Sequence, residues 1–186
     1  VTFAQGDHAE LVLDGLMEPR IEPEIVFGID GPLPPGDDPV DILRAAAWIA
    51  PGFEIVHSPF PGWKFGAADC AAAYGLHGRL AVGTRVPVTD ANRATLAAAL
   101  PTFEVTLSRG HTLIEQGVGG NVLGSPARAL AYLRDVLATQ PWAPPLAAGE
   151  IVTTGTITDA QPVRAGETWH ATFDTLPLRA LTATIR

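Results

Sequence analysis

Three carboxylates stand where apolar strands are expected. Glu22 and Glu24 lie in Ile21-Glu22-Pro23-Glu24-Ile25-Val26-Phe27, and Glu54 lies in Pro51-Gly52-Phe53-Glu54-Ile55-Val56. Side chains alternate faces along a strand, so Glu22 and Glu24 project to one side, as do Glu54 and Val56. A buried acid is costly unless it is paired or bound to a cation. Three oxygen donors, with no cysteine nearby and no paired histidines, suit a hard divalent ion. Mg²⁺ or Mn²⁺ fits best and Ca²⁺ is possible. Such a set leaves positions on an octahedral ion for a chelating ligand and a water, and a 2-oxo acid chelates through its carboxylate and keto oxygens. The competing expectation is that Glu22 and Glu24 face solvent on an edge strand, which Pro23 would permit.

Other residues could complete such a site. Lys64 is the only lysine and follows Trp63 in a Gly/Pro-rich loop. There it could polarise a carbonyl, pair with a substrate carboxylate or move a proton, or simply be a surface lysine. Gly149-Glu150-Ile151-Val152-Thr153-Thr154-Gly155-Thr156 joins an apolar strand to a Thr-Gly-Thr turn whose hydroxyl and N–H groups can hold a carboxylate. Gly117-Val118-Gly119-Gly120-Asn121 lacks both phosphate-loop and dinucleotide spacing and reads as a flexible loop before a helix. His8, His57, His77, His111 and His170 are dispersed and read as core or surface residues, with His57 facing away from Glu54. No Gly-x-Ser-x-Gly elbow is present, which disfavours a serine hydrolase.

The elements that must position these groups are short, because 17 Pro and 19 Gly interrupt the 186 residues. Strands are expected at 25–29, 53–57, 79–82, 151–154, 168–173 and 178–185, with a hairpin formed by 102–108 and 111–116. Asp38 as N-cap and Pro39 at the first helical position predict a helix to about Ala50. Further helices are expected over 67–74, 90–100 and 126–139, the last with Leu130, Leu133 and Leu137 on one face. Strands outnumber helices without βαβ alternation. The expected class is therefore α+β, mostly β, and not a dinucleotide-binding sheet.

Bulk properties narrow the function. The chain is 47% hydrophobic and 17% charged, as expected of one globular domain. A net charge of −8 with 12 scattered basic residues excludes a nucleic-acid footprint. No stretch is apolar enough to predict a membrane helix, and the single Cys70 suits a reducing cytoplasm. The high apolar content suggests a homo-oligomer. The chain opens on Val1 and has Met17 as its only methionine, so an upstream N-terminal segment is expected to be missing.

Taken together, these segments resemble the 2-keto-4-pentenoate hydratase branch of the fumarylacetoacetate hydrolase superfamily. The resemblance rests on the Glu22/Glu24 and Glu54 segments, Gly62-Trp63-Lys64 and Gly75-Leu76-His77-Gly78-Arg79-Leu80-Ala81-Val82-Gly83. It continues through Asn121-Val122-Leu123-Gly124-Ser125-Pro126 and the stretch from Gly149 to Thr158, in family order. It implies a single hydratase-like catalytic domain over residues 1–186, folded as the mixed β-roll of the superfamily's C-terminal domain. It further implies a divalent ion on Glu22, Glu24 and Glu54, a substrate-carboxylate contact at Thr156 and Gly155, and a basic catalytic residue at Lys64. The implied reaction is addition of water to a 2-hydroxy-2,4-dienoate in the catabolism of aromatic compounds. The alternatives are an oxalocrotonate-type 2-oxo acid decarboxylase, an acylpyruvate or β-diketone hydrolase, and a non-catalytic metal-binding member. The chain departs from the family where an Asp-Asn pair is replaced by Ala73 and Tyr74, and family chains extend further at the N-terminus.

Overall fold

A computed structural model describes all residues from Val1 to Arg186. In chain order the elements are β1 (Thr2–Phe3), β2 (His8–Leu11), β3 (Arg20–Ile29), α1 (Pro39–Ile42), β4 (Ala46–Val56), α2 (Ala67–Ala72), β5 (His77–Val82) and β6 (Val86–Pro87). They continue with α3 (Arg93–Ala99), β7 (Glu104–Arg109), β8 (Thr112–Val118), α4 (Pro126–Ala138), β9 (Ile151–Thr153), β10 (Gln161–Pro162), β11 (Thr168–Phe173) and β12 (Leu181–Ile185). The expected α+β, mostly-β class is what the chain adopts.

The strands form two mixed sheets. One runs β1-β5-β4-β3-β10, with β6 added to β4 and β9 added to β3; the other runs β2-β12-β11-β7-β8. Only β1–β5 and β2–β12 pair in parallel. Alternation along β3 and β4 sends Ile21, Ile25, Phe27, Phe53 and Ile55 into the main core, where they join Leu107, Trp169 and Leu181 of the second sheet. Burying such side chains contributes about 1.5–3 kcal/mol each.

The helix expected from Pro39 to Ala50 is corrected. Asp38 does cap a helix, its carboxylate accepting from the Val40 amide at 2.8 Å. That helix ends at Ile42, a turn of 3-10 helix carries the chain to Ala45, and β4 begins at Ala46. The alanines there favour helix, but pairing overrides them: Ile29, Gly28 and Phe27 oppose Ala46, Trp48 and Ile49, and β6 covers the other edge. The stretch expected to be a flexible loop, Gly117 to Asn121, is also corrected. β8 runs through Val118, and a 3-10 turn follows. Gly117 serves close packing, since a Cβ there would lie 2.2 Å from the Ile157 carbonyl oxygen.

Candidate metal centre

The acids gather because β3 and β4 are antiparallel neighbours in a register that sets Glu22 opposite Glu54 and Glu24 opposite Gly52. All three carboxylates therefore rise from one face of the first sheet, opposite the face that packs into the core. Beside them on that face, Val26, Ala50, Leu80 and Val82 form a separate small apolar cluster. Gly52 keeps this floor low, because a Cβ there would lie 2.4 Å from Val26 Cγ2. Glu24 is 1% and Glu54 8% exposed, and Glu22 is half-buried. Solvent-facing acids on an edge strand are thus ruled out. Pro23 is tolerated inside β3 because its backbone edge faces away from β4: its carbonyl accepts from the Ile157 amide at 3.1 Å, in the gap between β9 and β10.

One oxygen from each of Glu22, Glu24 and Glu54 lies within 4.8 Å of the other two. Protein groups contact one oxygen of Glu24 and both oxygens of Glu54. The Gly155 amide donates to Glu24 Oε2 at 2.8 Å. His77 Nδ1 lies 2.6 Å from Glu54 Oε1, and the Thr153 hydroxyl approaches Glu54 Oε2 at 3.4 Å. With no cation to balance them, burial and the Glu54 charge push the Glu22 carboxyl up to about 7. Glu24 is raised well above 4.5 by burial first and then by Glu54, against the opposing Gly155 amide. Acids so destabilised as anions match the requirement of a divalent ion for clustered carboxylate oxygens, so the donor set fits a hard cation.

The other expected residues are placed as follows. Gly155 is at the centre, but its amide is engaged by Glu24. The Thr156 hydroxyl donates to the Thr158 carbonyl at 2.7 Å, and Asn121 braces this segment by donating to the Ile157 carbonyl at 2.9 Å. Lys64 is exposed at the end of the 3-10 turn Pro61–Trp63 and has no hydrogen-bond or ion-pair partner. That turn is pinned to the start of β3: Glu18 Oε1 accepts from the Gly62 amide at 2.9 Å, and the Trp63 indole donates to the Glu18 carbonyl at 3.1 Å. His57 accepts from the Met17 amide at 3.4 Å and makes no contact with the acids.

Two polar groups beside the acids escape the sequence reading. His77 opens β5, next to β4, and only the inter-strand register reveals that it meets Glu54. Arg20 shares the acid face two residues before Glu22, and its guanidinium stacks 4.2 Å from the Trp63 ring centroid. Its signal was the alternation itself, since 20, 22 and 24 share one parity.

No family model matches the chain. It is 33% identical over 166 residues to the 2-hydroxyhexa-2,4-dienoate hydratase of Comamonas testosteroni and equally so to the 4-oxalocrotonate decarboxylase of Pseudomonas sp. strain CF600. Each alignment covers 89% of this chain and 60% of the relative. The fold matches that of 4-oxalocrotonate decarboxylase from Pseudomonas putida G7, in a complex with magnesium and adipate, with a TM-score of 0.83. The identity there is 24%, over 99% of this chain and 66% of that one. The chain is thus similar in sequence to a dienoate hydratase and an oxalocrotonate decarboxylase, and it shares the decarboxylase fold. It spans about three-fifths of the length of the curated relatives it matches. In the segment that carries Ala73 and Tyr74, Tyr74 turns outward, 89% exposed. The polar group that this part of the chain sends to the acids is His77 instead.

Proposed function

We propose that the chain is the catalytic domain of a divalent-metal-dependent hydro-lyase that adds water to a 2-hydroxy-2,4-dienoate during the breakdown of aromatic compounds. The observation that carries this reading is the convergence of three carboxylate oxygens within 4.8 Å on a largely buried sheet face. The 33% identity to a dienoate hydratase supports the choice of reaction.

Glu22, Glu24 and Glu54 would hold the ion, Mg²⁺ or Mn²⁺. When bound, it supplies Lewis-acid stabilisation of the charge that develops on the substrate's 2-oxygen. The chain's own groups do the rest. The Gly155 amide and His77 fix one oxygen each of Glu24 and Glu54, which holds both carboxylates in place beside Glu22. Thr156 receives the substrate carboxylate once its hydroxyl rotates off the Thr158 carbonyl. Lys64, free of partners, supplies a mobile ammonium for proton transfer or charge pairing. The apolar side chains beside the acids keep bulk water from the anionic intermediate and strengthen these contacts.

A decarboxylase reading is supported by the equal 33% identity to a 4-oxalocrotonate decarboxylase. The two are separated by incubating the protein and Mg²⁺ with 2-hydroxypenta-2,4-dienoate and, separately, with oxalocrotonate. Mass spectrometry then reads gain of water or loss of CO₂. Absence of turnover with both would refute a lyase. No helix is long and apolar enough to cross a membrane. A cytoplasmic location and a homo-oligomer complete the proposal, the latter supported by exposed apolar side chains such as Tyr132, Val136 and Trp142.

A further inference from the structure

The loop between β3 and α1 and the last turns of α4 frame a cavity of about 210 Å³ that shares no residue with the metal centre. Its walls are mostly apolar. Pro32 and Leu33 come from the loop, Leu137 and Ala138 from α4, and Ala143 and Leu146 from the segment leading to β9. Leu33 and Leu146 also pack against the main core, which anchors two of these walls. The loop is stiffened by Pro32, Pro34 and Pro35, whose rings fix φ. Arg134 holds it to α4 by donating to the Pro34 and Gly36 carbonyls, the latter at 2.6 Å. A cavity framed in this way exists before a ligand arrives, so binding is spared the cost of ordering its walls.

Two polar side chains reach the cavity, and they set the chemistry of its ligand. Arg134 carries the charge there, and that charge is already answered: besides the two carbonyls, the guanidinium pairs with Asp135 through Nε and Nη2, each at 2.8 Å. An ionised ligand would give up its hydration without gaining a free counter-charge. Gln140 is different. Its side-chain amide makes no hydrogen bond within the chain and offers the cavity both a donor and an acceptor. Size narrows the ligand further. An apolar cavity of about 150 Å³ holds a benzene molecule, and this one has room for a ring and a small substituent. We propose that this cavity is a second binding site, for a neutral one-ring molecule with a single hydroxyl, that is, a simple phenol. The leucine, alanine and proline side chains enclose the ring, and the hydroxyl, un-ionised at neutral pH, bonds to Gln140.

The test is a fluorine-19 NMR titration of the protein with 4-fluorophenol, and with 4-fluorobenzoate as its charged counterpart. Wild type binds 4-fluorophenol tighter by about tenfold or more. Ala138→Leu and, separately, Ala143→Leu fill the cavity and weaken 4-fluorophenol by about tenfold or more, with thermal melting to show that each variant is folded. Gln140→Ala weakens it about three- to tenfold, the worth of one hydrogen bond. Crystals soaked in 4-bromophenol locate the ring without any substitution: the bromine anomalous peak falls among Leu33, Leu137 and Leu146. No binding of 4-fluorophenol to wild type, or equal affinity for 4-fluorobenzoate, overturns the site. So does a bromine peak elsewhere, or a folded, cavity-filled variant that binds as wild type does. A Gln140→Ala variant with unchanged affinity overturns the hydroxyl contact, and with it the choice of a phenol.

Discussion

Replacing Glu22 by glutamine should stabilise the metal-free protein. In the folded chain the Glu22 carboxyl titrates near 7, against an ordinary value of 4.5, because burial and the Glu54 charge both resist its ionisation. The folded state therefore binds this proton more tightly than the unfolded state does. Below 4.5 both states are protonated and nothing is lost; stability falls as pH rises from 4.5 to about 7, and the full cost persists above. At about 1.36 kcal/mol per pH unit that cost is up to about 3 kcal/mol. Glutamine keeps the shape and removes the charge. In chelator-treated protein, urea denaturation followed by tryptophan fluorescence should show Glu22→Gln more stable than wild type by up to about 3 kcal/mol near pH 8, and equal to it near pH 4. Wild type should also gain more stability from Mn²⁺ than the variant does. A variant no more stable at pH 8, or one with the same gain at both pH values, would refute the idea that an uncompensated acid is held here for a cation.

Further outcomes follow from the same geometry. His77→Phe removes the donor on Glu54 Oε1 and should weaken Mn²⁺ binding by about 10–100-fold, read by calorimetry. Metal affinity should fall as pH drops below about 7, because the ion must displace protons from Glu22 and Glu24; a flat profile would contradict the raised carboxyls. The held oxygens of Glu24 and Glu54 disfavour bidentate ligation, so Mg²⁺ or Mn²⁺ should raise the melting temperature more than equimolar Ca²⁺. Gly52→Ala places a Cβ 2.4 Å from Val26 Cγ2 and should cost about 1–3 kcal/mol by urea denaturation, with metal affinity reduced through the displaced strand.

Short-range pattern made part of this legible. Period-two alternation put Glu22 and Glu24 on one face, and Asp38-Pro39 marked a real helix start. What escaped was decided at long range. Ala45 to Ala50 carry helix formers, yet β3 and β6 recruit most of them into β4. His77 looks solitary in sequence because its partner lies 23 residues away on the neighbouring strand. The Thr-Gly-Thr turn was read as able to hold a carboxylate; its Gly155 amide donates to Glu24, while the Thr156 hydroxyl donates to the Thr158 carbonyl. A single chain shows alternation but not register, and register is what unites the acids, His77 and Arg20.

The central claim is that Glu22, Glu24 and Glu54 share one ion with room for a keto acid. Crystals soaked in Mn²⁺ and oxalate test it directly by anomalous scattering. The account predicts one strong peak within bonding distance of all three carboxylates, with oxalate chelating the same ion. An absent peak at these acids, or one bound elsewhere while they remain unliganded, would contradict it.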